Sequence, residues 1–192
     1  MVDLGEERAW ITFDKENLDP PTQEMIHMAK SDSFFIRKSL NIDNDNGPEQ
    51  TSIDLGAYVD ALGKSVLRIH NIAVTFSDST GRSNTVTGPA AAQYQLTTQS
   101  QTDIILPSDK SVIASGRVHV DGAGGVASYV SHDMDVAPQH WTNGYLVGVE
   151  QIYVLGAASA GFQDDVYVSL VLECTVETMT SNAAMALALS QQ

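Results

Sequence analysis

Residues 165 to 178 read Asp-Val-Tyr-Val-Ser-Leu-Val-Leu-Glu-Cys-Thr-Val-Glu-Thr, and this stretch decides the fold. The even positions are Val166, Val168, Leu170, Leu172, Cys174 and Val176; the odd ones are Asp165, Tyr167, Ser169, Val171, Glu173, Thr175 and Glu177. Apolar side chains at period two predict a strand with one face in a core and the other in water. A helix would spread the same positions around its circumference. At ~3.3 Å per residue such a strand is about 45 Å long. Residues 145–155 are also strand-like, and Gly156-Ala-Ala-Ser-Ala-Gly161 joins the two segments. The expectation is a long antiparallel pair that closes a β-sandwich.

Working outward, alternation predicts eight strands, at 34–42, 51–56, 66–77, 91–99, 111–120, 126–134, 145–155 and 165–178. In the third, Leu67 and Ile69 are odd but Ile72, Val74 and Phe76 are even, so a β-bulge is predicted at His70-Asn71. The seventh slips in the same way, predicting a second bulge near Glu150-Gln151. Asp121-Gly-Ala-Gly-Gly125 is a hairpin signal. The chain divides into an arm over 1–33, with a short helix after Pro20 and Pro21, an eight-stranded antiparallel sandwich over 34–178, and an alanine-rich tail over 179–192 with good helix propensity. The strand count points to a jelly roll, although a fibronectin-like or carbohydrate-binding sandwich would leave a similar trace.

The 192 residues carry 24 acidic and 10 basic side chains, a net charge of -14. Proteins that hold phosphate backbones cluster Lys and Arg. Here only Arg37 and Lys38 are adjacent, so direct nucleic-acid binding is not expected. No apolar run reaches the length of a membrane span, and the charged start Met-Val-Asp-Leu-Gly-Glu-Glu-Arg leads us to expect no secretory leader and folding in a cytoplasm. The single cysteine, Cys174, lies on the inward face of the best strand, where it reads as a small core residue.

Two ligand-like clusters stand out. His132, Asp135 and His140 could hold a metal in a cupin-like enzyme, but the His-x-His pair of such sites is missing. Asp43 and Asp45 precede Gly47 in an order that does not satisfy an EF-hand loop. Neither a Gly-x-Ser-x-Gly elbow nor a phosphate cradle is present. Catalysis and a cofactor are therefore not expected. As a binding module, the chain would use Gln95, Gln99, Tyr129 or Trp141 on a sugar.

The eight-strand pattern, non-basic arm, long last strand and alanine-rich tail together resemble single jelly-roll capsid proteins of icosahedral DNA viruses. That resemblance rests on architecture and transfers no residue. It implies a structural protein that self-assembles into the capsomers of a virion. Its partners would be copies of itself and a second capsid protein, with an internal virion membrane nearby. Apolar ends would then fasten neighbours together, and Trp10, Phe13, Met185, Leu187 and Leu189 are the candidate subunit contacts.

Overall fold

The computed structural model describes residues 30–60, 62, 64–123 and 126–192, the side chains of 123 and 126–133 apart. Trp10, Phe13 and the helix expected after Pro20 lie outside the described residues.

Nine strands follow one another: β1 (Phe34–Asn41), β2 (Pro48–Asp54), β3 (Ser65–Ser77), β4 (Ala90–Thr97), β5 (Val112–Ala123), β6 (Val126–Val136), β7 (Tyr145–Val147), β8 (Gln151–Ala158) and β9 (Tyr167–Thr178). The one described α-helix, α1, is Ser181–Ser190. One sheet has the order β1-β9-β3-β7 and the other β2-β8-β4-β5-β6, and all neighbours are antiparallel. With β6 set aside, the pairs nest from outside in: β1 with β9, β2 with β8, β3 with β7, β4 with β5. Such a nest is one long hairpin. Wrapping it adds the contacts β3–β9 and β4–β8. This is the jelly roll, an all-β sandwich of two antiparallel sheets, with β6 as an extra edge strand.

The even face of β9 supplies the middle of the core: Val166, Val168, Leu170, Leu172 and Cys174 are all buried. Ile69 and Ile72 of β3, Tyr94 and Leu96 of β4, and Ile152 and Val154 of β8 complete it. Burial pushes the Cys174 thiol up to about 12, so it stays protonated and packs as an apolar group. The bulge in β3 falls where the slipped phase placed it: Ile69 lies opposite Cys174 and Asn71 opposite Glu173, leaving His70 as the extra residue.

Two expectations are corrected. Residues 145–155 are not one bulged strand: β7 ends at Val147 in one sheet, and β8 begins at Gln151 in the other. A bulge and a corner between sheets both shift the alternation by one, and the sequence pattern alone does not separate them. Nor do the last two strands pair with each other, since β8 and β9 lie in opposite sheets. Alternation fixes which face is buried and leaves the choice of edge partner open.

The outward face of β9 is also covered near its end, where Thr175 and Glu177 are buried. Arg68 of β3 reaches Glu177 with Nε and Nη2, both at 2.7 Å, in a two-pronged ion pair. Its Nη1 donates to the carbonyl of Asn143, in the segment that lies over this face. The same segment ends in Gly144, at φ +62°, where any Cβ would strike the Ile69 carbonyl. The short β7 leaves the edge of β3 open beyond Ile69. There Gln139 stands in for a strand, accepting from Ile72 N at 3.2 Å and donating to Ile72 O at 3.1 Å.

Hydrogen bonds from Arg68 hold the Glu177 carboxyl below its ordinary value of 4.5. The unfolded chain therefore takes up this proton first on acidification, and the stabilisation is complete above pH 4.5 and lost as pH falls through the lower folded value. Glu177→Gln strands the largely buried Arg68 guanidinium and is expected to cost about 3 kcal/mol at pH 7. Chemical denaturation as a function of pH checks both points, because the variant should lack this part of the acid sensitivity.

Candidate functional site

Strand register sorts the loops to two ends of the sandwich. Ser65 at the start of β3 lies opposite Thr178 at the end of β9, Asp54 at the end of β2 opposite Gln151 at the start of β8, and Val112 at the start of β5 opposite Thr97. The β2–β3, β4–β5 and β7–β8 connections therefore share one end, which also holds the start of β1. At the other end are the β1–β2, β3–β4 and β8–β9 connections, with Asp43, Asp45, Asp78, Asp164 and Asp165.

Helix α1 closes the first end. Thr180 caps it, its hydroxyl accepting from Ala183 N at 3.3 Å. The chain enters beside the β2–β3 turn, where Met179 N donates to Lys64 O at 2.8 Å. It leaves beside β4–β5, where Lys110 Nζ donates to Gln192 O at 3.1 Å. Ala184, Ala188 and Gln191 form the inward stripe at helical spacing and are all buried. Gln191 anchors the helix end with both halves of its amide, accepting from Gly148 N at 2.8 Å and donating to Leu146 O at 2.7 Å. Its own carbonyl accepts from Thr98 Oγ1 at 2.9 Å. Gly148 lets the helix pack closely, since a Cβ there would stand 3.0 Å from Leu187 Cγ and 3.1 Å from Ala188 N.

The helix thus packs by its smallest side chains and turns larger ones outward. Met185 is 46% exposed and Leu189 65%, one turn apart on the outer surface. Leu62 of the β2–β3 turn is exposed at the same end, and Phe35 is exposed near the start of β1. Of the six large apolar side chains exposed among the described residues, Trp141 and Leu106, the latter over the outer face of β4 and β5, lie apart from this group. Grooves of about 610 and 540 Å³ flank the C-terminal turn of α1, one beside Tyr145 and Leu187 and one beside Gln99 and Tyr153. Apolar surface gathered at one place and rimmed by polar groups is the physical mark of a contact surface.

Among the candidate contacts, Met185 and Leu189 share this surface, and Leu187 is half-buried against Gly148. Trp10 and Phe13 are outside the described residues. The sugar-binding candidates do not come together. Gln95 is buried beneath the β4–β5 connection and bound to Ile105, and Gln99 donates to Gln191 O. Trp141 sits against Tyr145 on the other sheet, and the Tyr129 side chain is not among those described. Gln95 and Thr97 are both buried, so this part of β4 presents no polar face to water.

The metal candidates are similarly dispersed. Asp135 pairs with Arg117 at 2.8 Å, and His140 ends a single 3-10 turn, Pro138–His140. The His132 side chain is not described. Among the described residues no group of three potential metal ligands converges. Asp45 uses its carboxylate on Gly47 N at 2.7 Å, closing an Asx turn.

No known protein-family profile and no curated protein matches this chain. Solved structures similar to it include the Merkel cell polyomavirus VP1 unassembled pentamer, with 8% identity, 75% of this chain and 95% of that chain covered, and a TM-score of 0.34. Desmodium yellow mottle tymovirus gives 8% identity, coverage of 77% and 89%, and a TM-score of 0.32. The empty head of turnip yellow mosaic virus gives 8%, 93% and 89%, with a TM-score of 0.30. At 8% identity no residue of theirs carries over to this chain.

Gln191→Ala tests how α1 is held. Loss of the carboxamide leaves Gly148 N–H and Leu146 C=O without their partner, at a cost of about 2 kcal/mol. Hydrogen exchange should quicken in α1 and at Gly148, with far less change at the amides in the middle of β9.

Proposed function

We propose that this chain is a structural capsid protein that self-assembles into the capsomers of an icosahedral virion, without catalysing a reaction. The observation that supports this reading is the concentration of exposed apolar side chains at the helix-capped end of a rigid jelly roll. A jelly roll serves several functions, so the fold alone does not choose among them. What favours assembly is a monomer that completes its core and still leaves Met185, Leu189, Leu62 and Phe35 in water at one end.

A second copy of the chain is the occupant that fits this end. A net charge of -14 opposes approach to an anionic lipid surface, whereas an apolar centre with a polar rim suits a protein partner. Trp10, Phe13, Met185, Leu187 and Leu189 are the contact residues in this reading, and a second capsid protein would use the same surface. The place of action is the virion, after synthesis in the host cytoplasm.

Sedimentation and electron microscopy across a concentration series test the proposal, with oligomers or closed particles as the expected outcome. Met185→Glu combined with Leu189→Glu should weaken association about a hundredfold, corresponding to about 2.7 kcal/mol, because each charge would have to be buried in the contact. Both side chains lie outside the monomer core, so the thermal midpoint should move by no more than about 2 °C. A wild-type protein that stays strictly monomeric at high concentration in assembly buffer overturns the reading.

A further inference from the structure

Beyond assembly, the outer face of the β2-containing sheet carries a second feature. The β4–β5 connection turns back over the strands that it joins. Gln95 holds it there with both halves of its amide, accepting from Ile105 N at 3.0 Å and donating to Ile105 O at 2.5 Å. A hollow of about 270 Å³ remains between strap and sheet. Ile105 and Pro107 form its aliphatic wall, and Gln95, Ser115, Arg117 and Asp135 form its floor and side.

Ser115 lies directly opposite Gln95 in the β4–β5 register, and so on the same face of the sheet. It is 2% exposed, and its hydroxyl has no hydrogen-bond partner among the described residues. A buried hydroxyl without a partner is unfavourable, so a polar group entering the hollow gains by hydrogen-bonding to it. At the open side Arg117 and Asp135 form an ion pair at 2.8 Å that stays partly in water, with side-chain exposures of 43% and 27%. Donors and acceptors therefore stand side by side along one wall, facing an aliphatic one.

We infer that this hollow binds a neutral polyhydroxylated molecule the size of one sugar ring. An anion would face Asp135 and a cation Arg117, so a net charge of either sign is opposed by half of the pair. An apolar ligand would leave the Ser115 hydroxyl unpaired. Adjacent hydroxyls can donate to Asp135 and accept from Arg117 while another meets Ser115, and the C–H face of the ring rests on Ile105 and Pro107. The volume lies just below the ~300–1,000 Å³ of pockets that hold drug-sized molecules, which suits a single ring better than a chain. Gln95 is a positioning residue here, since its amide is spent on the strap.

The test is NMR titration of the full chain with D-glucose, D-galactose and D-mannose, and with inorganic phosphate as the charged comparison. Saturable shifts at the amides of 104–107 and 115–117 with at least one hexose, and none with phosphate, are expected. Ser115→Ala should raise the Kd for that hexose by about tenfold or more, while its thermal midpoint stays level or rises because an unpaired buried hydroxyl has been removed. No saturable shift with any hexose overturns the inference, as does equal affinity in Ser115→Ala or tighter binding of phosphate. A marked fall in the Ser115→Ala midpoint also overturns it, because the hydroxyl would then be satisfied within the fold itself.

Discussion

The sandwich depends on β9, a strand paired along both edges. It is hydrogen-bonded along one edge to β1 and along the other to β3, and its even-numbered face lies in the core. The far half of its outward face is closed as well, where Glu177 meets Arg68. Buried backbone groups must be paired, so a strand in this position needs continuous partners over its whole length. The bulge at His70 lets β3 meet that demand while its side chains stay in phase with the core on both sides of the slip. Every other strand reaches the core by its relation to this one, through its own sheet or across the interior.

Three glutamines attach the irregular parts of the chain to this frame. Gln95 holds the β4–β5 connection at Ile105, Gln139 holds the segment before β7 at Ile72, and Gln191 holds α1 at Leu146 and Gly148. In each case one carboxamide accepts from a backbone N–H and donates to a backbone carbonyl, as a neighbouring strand would. A single side chain thus makes the pair of backbone hydrogen bonds that a neighbouring strand would make. Both surfaces of functional interest depend on this device. Gln191 fixes the helix whose outer side chains make the apolar end, and Gln95 fixes the strap that encloses the hollow around Ser115.

Much of the frame was legible because alternation is a local property. The even residues of β9, the slip at His70 and the hairpin of β5 with β6 all report burial or turning within a few residues. The slip near Glu150 was legible as an irregularity but not as a change of sheet, since the partners of β7 and β8 are β3 and β2, far away in the chain. The candidate site was partly legible. Met185 and Leu189 are apolar residues in a helix-forming tail, yet only the inward stripe of Ala184, Ala188 and Gln191 decides which side of that helix faces water. Ser115 carried no signal at all, because its surroundings consist of a loop folded over from above.

By itself, then, the sequence determined the class of structure: side chains alternating every second residue mark strands with one buried face, and that follows from backbone geometry over short spans. The tertiary structure decided the order of strands, the crossing between sheets at Gly148, and which apolar side chains remain exposed together at one end. These depend on contacts between residues distant in the chain. No periodicity encodes such contacts, because each one is fixed by the shape and hydrogen bonding of whatever segment the fold brings alongside.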